Sequence, residues 1–255
     1  MDLELTGRRA IVTGGSRGIG LAVARVLAVE GASVALAARG AVALEEAANA
    51  LSALAVAADP GSSAAAAKRA PRVIPVPADT GSDDAVTAMV ARVVDEFGGV
   101  DILVNAAATP NRGGFGEESL EAEINVKVRG YLRCARAVAP IMAASGWGRI
   151  VNVSGLAARH TGSLVGSVRN VAVAAMTKNL ADELGPSGIN VTVVHPGPTI
   201  TERHPPVGPE AIAIGRLVTA AEVADVIAFL CSPRSVAING DAIAAGGGAR
   251  GPIHY

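Results

Sequence analysis

The chain is expected to fold as an α/β protein: one domain with a doubly wound parallel sheet of about seven strands and helices on both faces. Three observations predict this. Short Val/Ile-rich runs alternate with longer Ala/Leu/Val stretches of helical period, the pattern of strands buried between two helical layers. Half of the 255 residues are apolar, enough for one large core, whereas aromatics are only 2%, so Ala, Val, Ile and Leu must pack it. A glycine cluster also stands directly after the first apolar run, where a strand would turn into a helix.

The strands are expected near Arg9–Thr13, Ser33–Ala38, Val73–Val76, Asp101–Asn105, Arg149–Ser154, Asn190–His195 and Ala242–Ala245, with a helix at Ile19–Glu30 and further helices between the later runs. Pro75 lacks the N–H that a central strand needs, so the third run belongs at a sheet edge, where the doubly wound order 3-2-1-4-5-6 puts it. Asp59–Pro71, rich in Ala and Ser, reads as a solvated insert without chemistry. Glu202–Gly215, with Pro205, Pro206 and Pro209, is expected to be a loop on the carboxyl side of the sixth strand, where ligands bind in open sheets.

Composition narrows the partners. Lys and Arg total 22 against 23 Asp and Glu, so no long-range field favours nucleic acid or an anionic membrane. Cys134 and Cys231 lie far apart without metal-ligand spacing, which argues for a reducing, cytoplasmic setting and against a metal site. The start, Met1-Asp2-Leu3-Glu4, is acidic where a signal peptide would be basic, and no uncharged apolar run reaches the roughly 18 residues of a membrane span.

The strongest motif is Thr13-Gly14-Gly15-Ser16-Arg17-Gly18-Ile19-Gly20. Gly14 permits a tight turn, Gly18 a close approach of backbone to a pyrophosphate, and Gly20 close helix packing. The helix start supplies free N–H donors for the anion. At the end of the second run, where a carboxylate would select NAD, stands Ala38, followed by Arg39. Arg39 and Arg17 are guanidinium donors suited to the 2′-phosphate of NADP, and NADP is favoured over NAD.

This glycine spacing, and motifs that recur in order over almost the whole chain, resemble the short-chain dehydrogenase/reductase family and its Rossmann fold. Asp79-Thr80 looks like the family's adenine contact, and Asn105-Ala106-Ala107-Ala108 is similar to its Asn-Asn-Ala-Gly turn, with Ala at two places. Pro196-Gly197, with Thr199 and Thr201, resembles the segment that holds the nicotinamide carboxamide and pyrophosphate. Leu180-Ala181-Asp182-Glu183-Leu184 and Gly246-Gly247 also fit. The resemblance implies an NADP-dependent oxidoreductase acting on a small alcohol or ketone. Assembly as a homodimer or homotetramer is implied too, through helices around Lys127–Ala144 and Val168–Leu184. A non-catalytic dinucleotide sensor, or a structural subunit, is the alternative.

That alternative arises because the family's Asn-Ser-Tyr-Lys tetrad is missing here. Counting from neighbouring motifs puts the Asn on Lys127, the Ser on Gly155, the Tyr on Gly166 and the Lys on Asn170. Asn125 would serve only with a two-residue insertion before Gly130, and Ser154 lies one residue short of its place. The only tyrosines are Tyr131 and Tyr255. Substitutes are therefore expected among Ser154, Lys127, His160 and Asn170. Lys127 is either a cation facing the nicotinamide or, more plainly, a solvated lysine on an amphipathic helix. Arg169 with Asn170 would hold ribose hydroxyls or a substrate carboxylate, or else cap a helix. Ser167 next to glycine reads as a turn residue or a ligand contact. His160, in the loop after the fifth strand, suits proton transfer near neutral pH, and His195 reads as a packing residue.

Overall fold

A computed structural model describes residues 1–58, 71–109, 117–202 and 207–248. Most of the Ala/Ser-rich insert, Arg203–Pro206 and the tail from Ala249 lie outside the described residues. The strands are β1 (Arg9–Thr13), β2 (Ser33–Ala38), β3 (Val73–Pro77), β4 (Ile102–Asn105), β5 (Gly148–Val153), β6 (Ile189–Pro196), β7 (Thr199–Ile200), β8 (Val218–Thr219) and β9 (Ala242–Ala245). Seven of them form one parallel sheet in the order β3-β2-β1-β4-β5-β6-β9. Every expected strand is present within a residue or so, and Pro75 lies on the edge strand, paired only with Leu36 of β2.

The helices are α1 (Gly18–Val29), α2 (Ala41–Ala58), α3 (Asp83–Phe97), α4 (Glu117–Glu123), α5 (Gly130–Ser145), α6 (Leu164–Leu184) and α7 (Ala220–Cys231). Alternation along β1 sorts them into two layers. Ala10 and Val12 pack with Val23 and Leu27 of α1, Leu44 of α2 and Ile227 of α7, whereas Ile11 packs with Met89 of α3, Val138 of α5 and Leu180 of α6. Period two in the strands and period 3.6 in the helices thus give two cores, one on each face.

Two features were not expected. β7 and β8 pair in parallel as a separate two-stranded sheet, with Thr199 opposite Val218. Two residues are too few to show a period, so only the pairing defines them. Between α4 and α5 the chain runs as a π-helix, Ile124–Arg129, wider by a residue per turn than the α-helices it joins.

Register puts the carboxyl ends of β1, β4 and β5 level, with Thr13 opposite Asn105 and Asn105 opposite Asn152. The strand order reverses between β1 and β4, so the loops after these strands open a crevice there. At the other end, Arg9 clamps the same two strands: its Nε and Nη2 donate to the Asp101 carboxylate at 2.8 Å each, and its main-chain N–H at 2.9 Å. Asp101 is nearly fully buried, so removing it leaves a guanidinium and a backbone donor without their acceptor. Asp101→Ala is expected to lower stability by about 2 kcal/mol or more, read as a lower urea midpoint at unchanged slope. A midpoint equal to wild type would show that the clamp contributes nothing.

Candidate functional site

The crevice is a cleft of about 1000 Å³ whose walls come from the loops after β1, β2, β3, β4, β5 and β6. Its outer half is the glycine loop. Gly14 has φ +68°, and a Cβ there would lie 2.7 Å from the Ala106 carbonyl oxygen, so the turn admits no side chain. A Cβ on Gly20 would collide with the Gly14 carbonyl, which is why α1 can start so close to β1. Thr13 pins the facing turn: its Oγ1 accepts from the N–H groups of Ala106 and Ala107 at 3.1 and 3.3 Å.

Most of the expected dinucleotide contacts line this cleft: Gly14, Ser16, Arg17, Gly18, Ile19, Gly20, Arg39, Asp79, Thr80, Ala106, Ala107, Pro196, Gly197 and Thr201. Arg17 and Arg39 are exposed at its mouth, beside Ala38. Two expected contacts are not in the wall. Asn105 is buried below it, donating to Asn152 Oδ1 at 3.0 Å, because its strand position points it into the sheet's polar layer. Thr199 turns its hydroxyl back onto the Gly197 carbonyl at 2.8 Å.

One wall residue was not anticipated. The Glu202 carboxylate accepts the Gly18 N–H with both oxygens, each at 3.1 Å, at the amino end of α1. An anion therefore already sits on the donors of this helix start, as the dipole favours.

The inner half is lined by Val126, Lys127, Val153, Ser154 and Thr109. Lys127 is not a solvated surface lysine: it is 4% exposed, and its Nζ donates to the Ser154 carbonyl at 2.8 Å. The π-helix turns residue 127 inward and sends Asn125 away, toward the loop after β3. There its Nδ2 donates to the Gly81 carbonyl at 3.3 Å and its Oδ1 accepts from Arg133 at 3.0 Å. Asn125 is thus not brought to the cleft.

Two charged groups face Lys127. Glu123 lies one turn earlier on α4, and Arg169 on α6 donates through Nη1 to its carboxylate. Glu123 is 2% exposed, and its Oε1 and the Arg169 Nε have no hydrogen-bond partner among the described residues. Burial, and then the Arg169 charge, push the Lys127 ammonium from its ordinary 10.5 down to about 7, with Glu123 opposing. Arg169 therefore neither caps a helix nor points to a free ligand contact. Ser163 caps α6, accepting from the Gly166 N–H at 3.0 Å.

The other expected substitutes divide. Ser154 lines the cleft, its Oγ donating to the Asn170 carbonyl at 3.1 Å. Asn170 itself is 2% exposed and lies behind Gly155, whose Cβ would sit 3.0 Å from Asn170 Nδ2, so it supports the wall without forming it. His160 is absent from the wall as well. Its carbonyl accepts the Ser167 hydroxyl at 2.9 Å, which anchors the loop before α6 to that helix. His195 is buried in β6 and accepts the Gly155 N–H through Nδ1 at 3.4 Å, in keeping with a packing role.

Glu123 escaped the sequence reading, and so did the particular contacts of Glu202 and Thr13, which the sequence offered only as the start of a loop and of a motif. Glu123 and Lys127 do show the i, i+4 acid–base spacing, but that pattern ordinarily marks a solvated helix face. Among the described residues no group of His, Cys, Asp or Glu has metal-site geometry, and no helix is long and apolar enough to cross a membrane.

Comparison with known proteins finds relatives along almost the whole chain. The model of the enoyl-(acyl carrier protein) reductase family matches residues 14–250. The short-chain reductase protein NovJ of Streptomyces niveus is 33% identical, over 94% of this chain and 92% of its own length. The chloroplastic NADPH-dependent aldehyde reductase 2 of Arabidopsis thaliana is 36% identical, over 96% and 95%. A short chain dehydrogenase from Burkholderia cenocepacia, solved in complex with NADP, superposes with a TM-score of 0.84 at 34% identity, covering 97% of this chain and 99% of that one.

Burial of Lys127 has a cost with a definite pH dependence. Its folded value of about 7 lies below the unfolded 10.5, so between these the unfolded chain binds the extra proton. Its unfavourable contribution is complete below pH 7 and fades as pH rises toward 10.5. Lys127→Met is expected to stabilise the protein more at pH 6 than at pH 9.5 in urea titrations. An equal effect at both would show the amine to be ordinarily solvated.

Proposed function

The chain belongs to the short-chain dehydrogenase/reductase family, and from that premise we propose that it is an NADP(H)-dependent oxidoreductase that reduces a small ketone or aldehyde with Lys127 as proton donor. The observation that carries this reading is a buried, cleft-facing ammonium at the inner end of a dinucleotide-shaped cleft.

The residues fit the cofactor. The glycine loop leaves room for a pyrophosphate, the α1 start already accepts a carboxylate, and Arg17 and Arg39 flank Ala38 where a 2′-phosphate would need cations. Bound there, the nicotinamide dinucleotide supplies the hydride. Glu202 must leave the Gly18 N–H for the pyrophosphate to take its place. Ser154, beside Lys127, orients the substrate carbonyl, and the ammonium gives its proton to the developing alkoxide. Gly166 and Asn170 stand at the places the count assigns to the family's Tyr and Lys. The proton donor is thus relocated from α6 to the π-helix.

Three settings of the protein follow the same reading. Cys134 and Cys231 are buried free thiols, each pushed up to about 12 by burial, as suits a reducing cytoplasm. Leu164, Val168 and Val171 form an exposed apolar stripe on α6, at i, i+4 and i+7, suited to a homo-oligomer. Small uncharged carbonyl compounds match the apolar Val126 and Val153 walls.

Two measurements test the proposal. In titrations, NADPH is expected to bind more tightly than NADH; Arg39→Ala should lose about tenfold for NADPH, or roughly 1.4 kcal/mol, with NADH unchanged, and Glu202→Gln should gain affinity for both. In single-turnover reduction of a ketone and aldehyde panel, the rate should fall as pH rises through about 7, where Lys127 loses its proton, and drop roughly 10²–10⁴-fold in Lys127→Met. Tight NADPH binding without turnover on any substrate would mark a dinucleotide sensor instead.

A further inference from the structure

The chain has 22 cationic side chains, of which only Lys68, Lys127 and Lys178 are lysines, and arginine supplies the rest. Lys178 is exposed on α6, with its ammonium paired to Asp182. Among the described residues, Lys127 is the lysine whose amine is buried and lines the cleft. A guanidinium would satisfy a purely structural demand for charge, and this chain uses guanidinium nearly everywhere else. Only an amine can shed its proton and offer a lone pair.

The surroundings favour that form. The Ser154 carbonyl, 2.8 Å from Nζ, takes one N–H whether the group is an ammonium or an amine. Among the described residues, the charged groups that act on it are Arg169 from α6 and Glu123 from α4. Arg169 is bonded to the Glu123 carboxylate, so the acid's charge is already matched and does little to hold a second cation. Desolvation beside a neighbouring cation is the environment in which lysine becomes a nucleophile toward carbonyl carbon. Glu123 Oε1, buried and without a partner, remains as a proton carrier nearby.

We propose that Lys127 is a covalent capture site for small, uncharged aldehydes and ketones, which it binds as an imine at the inner end of the cleft. The Nζ lone pair forms a C–N bond to the carbonyl carbon while the C=O π pair moves to oxygen and takes up a proton. The first proton on that oxygen comes from Nζ; Nζ then releases its second proton to Glu123, which passes it to the same oxygen as the C–O bond breaks, so the oxygen leaves as water. The sum is amine plus carbonyl to imine plus water, with no oxidant or reductant. Proton donation in the reductase reading needs the ammonium, whereas capture needs the amine, so the two activities have opposite pH dependence about the same group. The proposal does not require hydride transfer: a chain that never reduces a ketone could still form the imine.

The test uses wild-type protein without nucleotide, propanal as probe and sodium borohydride to reduce the imine to a stable propyl amine, mapped by peptide mass spectrometry. At pH 7.5, labelling at Lys127 is expected to exceed that at Lys178 by tenfold or more, since the neutral fraction of an ordinary lysine there is about 10⁻³. Its rate should rise with pH to a midpoint near 7. In Glu123→Gln the loss of the opposing negative charge should move that midpoint lower. Labelling of Lys178 as fast as Lys127, or a Lys127 midpoint above pH 9, would overturn the proposal. Neither result depends on whether reductase activity is found.

Discussion

Beneath the cleft a single chain of buried polar side chains holds two strands and two helices in register. Asn105 of β4 donates to Asn152 of β5, Asn152 donates to Thr177 of α6 at 2.9 Å, and Thr177 donates to the Val173 carbonyl at 2.8 Å. Asn105 Nδ2 also reaches the Tyr131 carbonyl, and Tyr131 returns its hydroxyl to the Val153 carbonyl at 3.0 Å. All of these side chains are at most 1% exposed. In so dry a place each donor must find its acceptor or lose several kcal/mol in desolvation. A one-residue slip of β4 against β5 would break the Asn105–Asn152 bond and leave both amides without that partner, so this bond fixes where β4 and β5 end, and with them the cleft floor.

On that floor stands a charge arrangement with little slack. Glu123 and Arg169 neutralise one another across α4 and α6, which ties the start of α6 to the helix that carries Lys127. Among the described residues the lysine has no ion-pair partner of its own and is held by one main-chain carbonyl. Its lowered proton affinity is a consequence of packing: desolvation acts first and the Arg169 field second. The same packing that makes Lys127 costly to protonate brings its titration near neutral pH, which is what the proposed chemistry requires.

At the other end of the cleft, the two halves are joined through Glu202. Its carboxylate reaches from the segment after β6 to the start of α1, between elements 184 residues apart in sequence. Further along, that segment is anchored to the residues just after β9, since Ala213 and Ile214 donate to the carbonyls of Gly248 and Gly247.

The fold was legible because it rests on short-range patterns. Seven apolar runs, the glycine loop and Pro75 on an edge strand all follow from local sterics and period, and the strands appeared where those rules put them. Most of the glycine-loop side of the cleft was legible for the same reason, since Gly14 and Gly20 are required by backbone contact alone. The inner half was not. Whether Lys127 faced solvent or the cleft depended on a π-helix, whose one extra residue per turn rotates position 127 inward and Asn125 outward, and no local signal marks it. Glu123 at i, i+4 reads as a surface partner until α6 is laid across it, and His160 reads as a catalytic neighbour until its carbonyl is seen to anchor Ser167. Sequence alone determined which backbone could form and where a dinucleotide fits. Tertiary packing alone decided which titratable groups lie together out of water, because desolvation and Coulomb terms depend on distances between chain segments that local patterns do not encode.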